Sequence, residues 1–200
     1  MIYETYSKRQ KQLAQAGTVD VYQYEDFPPQ FRVQVIHIWT RAIGSYDRSR
    51  GANESCNDDW KFIHDRLAEE AGAFSLPRTS VSYEDDQMLC QSFLMRADGS
   101  GVRDIVELSF RVIDRVSRHR GHTQFNSIIQ DADDAIADLN ARFREHGIGY
   151  EYASGELVRV GSQYIHDQAV KPALALLNTP GFEGVQEEFL AAHGHYLGGK

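Results

Sequence analysis

"HGIGYEYASGELVRVGSQYIHDQAVKPALALLN", residues 146–178, is the stretch that decides the fold class. Gly147 closes a helix, because glycine takes the left-handed conformation at low cost. "GYEYASGELVRV" then reads as a hairpin around a two-residue Ser154-Gly155 turn. That turn sets Tyr152 opposite Leu157 and Tyr150 opposite Arg159. A lone hairpin is marginal in water, so this one must pack on helices or pair with a further strand. "VYQY", residues 21–24, is the strand candidate. Beyond the hairpin, "SQYIHDQAVKPALALLN" reads as a helix. Pro172 inside it should produce a kink and free the carbonyl of Gln168.

The rest of the chain is helical in pattern. Pro28-Pro29 starts a helix with Phe31, Val35, Ile38, Trp39 and Ala42 on one face. "NDDWKFIHDRLAEEAG" has an acidic start, apolar Trp60, Ile63 and Leu67, and a stop at Gly72. Ser82 followed by Asp85 resembles a cap ahead of "EDDQMLCQSFLMRA", whose helix ends at Asp98-Gly99. "DGSG", residues 98–101, is a helix-entry turn rather than a phosphate cradle. In the next segment Val102, Ile105, Val106, Val112, Ile113 and Val116 share one side. Period-2 alternation fails there, so helix is preferred over strand. "TQFNSIIQDADDAIADLNARFREHG" reads as the longest helix, with Phe125, Ile128, Ile129, Ala132, Ile136, Leu139 and Phe143 at helical spacing. A last helix carries Val185, Phe189 and Leu190 on one side. The expectation is an α+β fold, predominantly helical, with about six or seven helices and a small hairpin or sheet.

Composition bounds the function. Two hundred residues suit one domain, and a hydrophobic share of 42% can fill a core. The net charge of −8 opposes general coating of nucleic acid. Cys56 and Cys90 lack metal-ligand spacing and fit a reducing compartment. No run is apolar enough for a membrane span or signal peptide, which points to the cytoplasm.

Two constellations could bind a ligand. Arg111, Arg115, Arg118 and His122 form one helical stripe that could hold RNA or another phosphate backbone. The plainer reading is a solvated face, with Glu107 and Asp114 pairing at helical spacing. Tyr150, Tyr152, Arg159, Tyr164, His166 and Lys171 crowd the hairpin and the following helix, and could line a pocket for an anionic or planar ligand such as a nucleotide. The alternative is that the tyrosines pack the hairpin onto helices. No catalytic residue is assigned, and no metal ligand or cofactor. His64-Asp65 and His166-Asp167 suggest an HD-type phosphohydrolase only if His37 and Asp131 converge with them. Arg115 to His122 and Arg142 to His146 only loosely approach the arginine–histidine spacing of a HEPN-type RNase. His119-x-x-His122 and His193-x-His195 lack the further ligands that zinc needs.

"YSKRQKQ", "DVYQYEDFPPQFRVQVIHIW", "DAIADLNARFREHGIGYEY" and "QYIHDQAVKPALALLNTPGFEGVQEEFLAAHGHY" together resemble the amino-terminal region of AbiJ-type abortive-infection proteins. The resemblance spans nearly the whole chain and includes no catalytic signature. It implies a single module over 1–200, with 179–200 as the junction toward a HEPN-like carboxy-terminal domain. It further implies a regulatory or sensing role over that effector, in the same or another chain. An RNase or phosphohydrolase, and a homodimerisation or interaction module, are the alternative functions.

Overall fold

The computed structural model describes residues 5, 22–46, 55–78, 84–119 and 130–160, with helical residues at 172–173, 176, 185 and 188–192 (side chains of 55 and 116–119 excepted). The elements in order are α1 (Pro29–Ala42), α2 (Ser55–Glu70), α3 (Asp86–Arg96), α4 (Gly99–His119), α5 (Ala132–Glu145), β1 (Tyr150–Ala153) and β2 (Glu156–Arg159). The fold is α+β and mostly helical, with a two-stranded antiparallel sheet.

Local chemistry places each helix end. Pro28 is extended and Pro29 occupies the first turn of α1, where no backbone donor is lost. Asp85 caps α3 by accepting from Met88 N. Ser82 lies outside the described residues, and the cap itself is Asp85. Asp98 caps α4: its Oδ1 accepts from Gly101 N and from Ser100 Oγ, both at 2.9 Å. Arg32 donates to the carbonyls of Leu94 (2.8 Å) and Ala97 (2.7 Å), satisfying oxygens that the end of α3 leaves open.

The apolar stripes meet in one core. Phe31, Val35, Ile38, Trp39 and Ala42 are the buried residues of α1, as their spacing requires. Val102, Ile105, Val106, Val112 and Ile113 of α4 are buried with them. Trp39 and Trp60 meet edge to face at 5.8 Å. Each indole N–H is satisfied, by Ser109 Oγ at 2.9 Å and by Gly44 O at 3.0 Å.

The helix expected over residues 123–147 is corrected at its start. Asp131 has extended backbone and its side chain accepts from Asp134 N, so α5 begins at Ala132. Gln130 N donates to the carbonyl of Arg41 instead. An aspartate whose carboxylate reaches its own downstream amide starts a helix better than it continues one. The longest described helix is therefore α4, with 21 residues against 14 for α5. Phe125, Ile128 and Ile129 lie outside the described residues.

The hairpin has the expected register, Tyr152 opposite Leu157 and Tyr150 opposite Arg159. Ser154 and Gly155 both adopt positive φ, 54° and 88°, as a two-residue turn between right-twisted strands demands. "VYQY" contributes less than a strand. Gln23 forms one parallel bridge, to Ile148, ahead of β1. Its N–H donates to Gly147 O (2.8 Å) and its C=O accepts from Gly149 N (2.9 Å). Tyr24 then turns aside, with its hydroxyl donating to Val160 O at 3.0 Å. Its ring lies against Gly149, where an added Cβ would fall 2.2 Å from a ring carbon.

Candidate functional site

Two regions border α4: the seat of the hairpin and an open groove on the α2 side. The seat meets a specific need. In this register the 152–157 pair points its backbone polar groups outward, away from the opposite strand. Asn140 of α5 satisfies one edge. Its Oδ1 accepts from Tyr152 N (2.7 Å) and its Nδ2 donates to Tyr152 O (3.0 Å). Glu107 of α4 satisfies the other edge by accepting from Leu157 N at 2.8 Å. Arg111 donates to Gly155 O at 2.6 Å and pairs with Glu107 at 2.8 Å. Among the described residues these edge groups are met by helix side chains rather than by further strands.

These contacts show how the site residues read from sequence are used. Tyr152 is 2% exposed and packs on Phe110, while burial pushes its phenol pKa up. Its hydroxyl has no hydrogen-bond partner among the described residues. Tyr150 is half-buried among Tyr24, Phe27 and Phe143. Leu157 is half-buried and packs against the core. The guanidinium carbon of Arg159 sits 3.8 Å from the centre of the Tyr24 ring. Arg115 is exposed on α4. Of Arg118 only the helical backbone is described. His122, Tyr164, His166 and Lys171 lie outside the described residues. Pro172 and Ala173 are helical, and the residues preceding them, through which the expected kink would run, lie outside the described residues. On the opposite face of the hairpin, Ala153, Phe189 and Leu190 pack against Val158.

The histidines read as possible acid–base groups have structural neighbours. His64 is buried in α2. Its Nε2 accepts from Leu76 N at 3.3 Å, which puts its proton on Nδ1, 2.9 Å from Asp65 Oδ1. Ser75 Oγ lies 3.1 Å from Nε2. His64 thereby ties the 71–78 loop to α2. Asp65 also accepts from Lys61 at 2.5 Å, and this bond together with that from His64 holds its carboxyl below the ordinary range. His37 is exposed on α1 and Asp131 caps α5. Arg142 pairs with Glu145 (2.7 Å) and lies 3.3 Å from the buried Asp138, an ion pair without hydrogen-bond alignment. Asp138 also pairs with Arg41 at 2.8 Å. His146 bonds Gln34 Oε1 (2.8 Å) and meets the edge of the Phe31 ring. Among the described residues no group of three His, Cys, Asp or Glu is arranged to hold a metal ion.

The groove was not read from the sequence. It has a volume of about 650 Å³. Phe62, Arg66, Leu67, Glu70 and Ala71 of α2 and its end form one wall. Asp104, Glu107, Leu108 and Arg111 of α4 form the other, with Phe93 of α3 between them. Phe62 is 42% exposed. Burial against this surface pushes the Asp104 carboxyl above its ordinary value. The signal available in sequence was Phe62 itself, a large aromatic lying off the Trp60–Ile63–Leu67 stripe.

This is an α-rich α+β module in which helix side chains meet the edge groups of the hairpin and whose α2–α4 face, among the described residues, lies open. The model of the AbiJ N-terminal domain 4 family matches residues 4–175, and the chain belongs to that family. Membership makes it an abortive-infection, phage-defence protein. No curated protein and no solved structure matches it. No helix of the described residues is long and apolar enough to cross a membrane.

Proposed function

We propose that the chain is the regulatory or sensing module of a phage-defence protein and controls a separate HEPN-like effector domain, in the same or another chain. Residues 1–200 act as one module, with 179–200 leading toward that effector, and the module works in the cytoplasm. The observation that carries this reading is the use made of the reactive side chains. His64, Arg142 and His146 are bonded into the frame. General acid–base catalysis needs its groups convergent on a reacting atom, and these three serve separate packing contacts.

The test has two arms. Purified 1–200 is incubated with total and structured RNA, with and without divalent metal. No cleavage is expected. Cleavage that copurifies with the protein and disappears in Arg115→Ala or His122→Ala would replace the sensing reading with an RNase. Phage plating on cells carrying the native gene supplies the second arm. Protection should require both this module and the effector. Full protection from cells whose gene lacks this module would contradict a regulatory role.

A further inference from the structure

We propose that the groove between α2 and α4 is a docking site for a basic amphipathic helix. The peptide lays an apolar face on Phe62, Phe93 and Leu108 and sets lysine or arginine against Glu70 and Asp104. This goes beyond the regulatory reading and does not depend on it. A basic helix could bind here whatever the chain regulates.

Shape and charge both specify the occupant. Two helical walls enclosing about 650 Å³ form a trough that suits a third helix. Its floor is apolar, and Phe62 leaves much of its ring in water although α2 has already buried Trp60, Ile63 and Leu67 in the core. Covering such a ring removes apolar surface from water, which favours an apolar partner. Among the described residues, the two cations of the groove are already engaged. Arg66 pairs with Glu69 at 2.7 Å, and its guanidinium carbon lies 5.8 Å from the centre of the Phe62 ring. Arg111 is held by Glu107 and by the Gly155 carbonyl. Glu70 and Asp104, on opposite walls, have no side-chain hydrogen bond or ion pair among the described residues. The charge left unpaired in the groove is therefore negative. A net charge of −8 over the chain adds attraction for a cationic partner at long range.

The probe is a fluorescein-labelled synthetic helix of about 15 residues, with leucines on one face and lysines flanking them. A control peptide replaces each lysine by glutamate. Anisotropy titrations use the full chain at low and moderate salt. Saturable, salt-sensitive binding of the lysine peptide is expected, with the glutamate peptide at least about tenfold weaker. Joint Glu70→Lys and Asp104→Lys substitution should reverse that preference, and Phe62→Ser should weaken both peptides. A thermal melt of each variant separates lost binding from lost folding. If the charge reversal does not fold, Glu70→Gln with Asp104→Asn should still weaken the lysine peptide. Absent saturable binding, or a preference unchanged by these substitutions, overturns the proposal. Self-association of the parent that Phe62→Ser abolishes also overturns it, because the occupant would then be a second copy.

Discussion

The hairpin seat and the α2–α4 groove share two residues, Glu107 and Arg111, yet they differ in what their polar groups do. In the seat, Asn140 and Glu107 answer outward-facing backbone groups of the hairpin, and Arg111 answers the carbonyl of its turn. In the groove, Glu70 and Asp104 stand over an apolar floor with neither hydrogen bond nor ion pair among the described residues. A bonded polar group in a closed contact stabilises the fold, and losing it leaves a partner stranded. An unpaired carboxylate on an open face contributes little to the fold and remains available to something outside it. The comparison separates the residues that build this module from those that let it engage a partner.

Tyr152→Ala should produce the largest effect. It empties a buried site against Phe110, and truncating a buried aromatic costs about 3 kcal/mol. Chemical denaturation measures that loss, and a cost below about 1 kcal/mol would mean the seat is not a packed contact. Asn140→Ala comes next. It strands both the N–H and C=O of Tyr152, for a loss of about 2 kcal/mol. For a chain of this length, that corresponds to a fall in Tm of roughly 4–8 °C in a scanning calorimeter. Gly155→Ala should cost about 1 kcal/mol by the same assay, because φ is +88° while no atom stands within 4 Å of an added Cβ. Glu70→Gln and Asp104→Asn should each change stability by less than about 0.5 kcal/mol.

Acid distinguishes a bonded carboxylate from an unbonded one. Hydrogen bonds from Gly101 N and Ser100 Oγ hold Asp98 below its ordinary value of 3.8. Its contribution is fully present above 3.8 and is lost as pH falls through the lower folded value. Asp104 has the opposite sign. Burial raises it above 3.8, so protonation in the folded state relieves a cost as pH falls. Melts across the acid range should show a shallower acid loss for Asp98→Asn than for the parent, and a steeper one for Asp104→Asn. Identical acid limbs in all three proteins would contradict these assignments.

The sequence carried the frame further than the site. Helix faces were legible because burial follows the 3.6-residue period, as Phe31, Val35, Ile38, Trp39 and Ala42 show. The hairpin register followed from its Ser154-Gly155 turn. The start of α5 was misplaced because the apolar period runs through Asp131, while a single side-chain bond to Asp134 N decides the boundary. Asn140 went unnoticed because its partner, the edge of β1, is defined only once the hairpin folds onto α5. Glu70 and Asp104 lie 34 positions apart and share a groove only through the packing of α2 against α4. Neither position is distinguishable from any surface acid in the sequence alone.

The most direct test of the division between seat and groove compares Asn140→Ala with Asp104→Lys, each measured for both Tm and affinity for the lysine peptide. The account predicts that Asn140→Ala lowers Tm by several degrees and, well below that Tm, binds the peptide as the parent does. Asp104→Lys should keep the parent's Tm and bind the peptide at least about fivefold more weakly. If Asp104→Lys instead melts as early as Asn140→Ala while retaining the parent's affinity, the groove is part of the frame and the division fails.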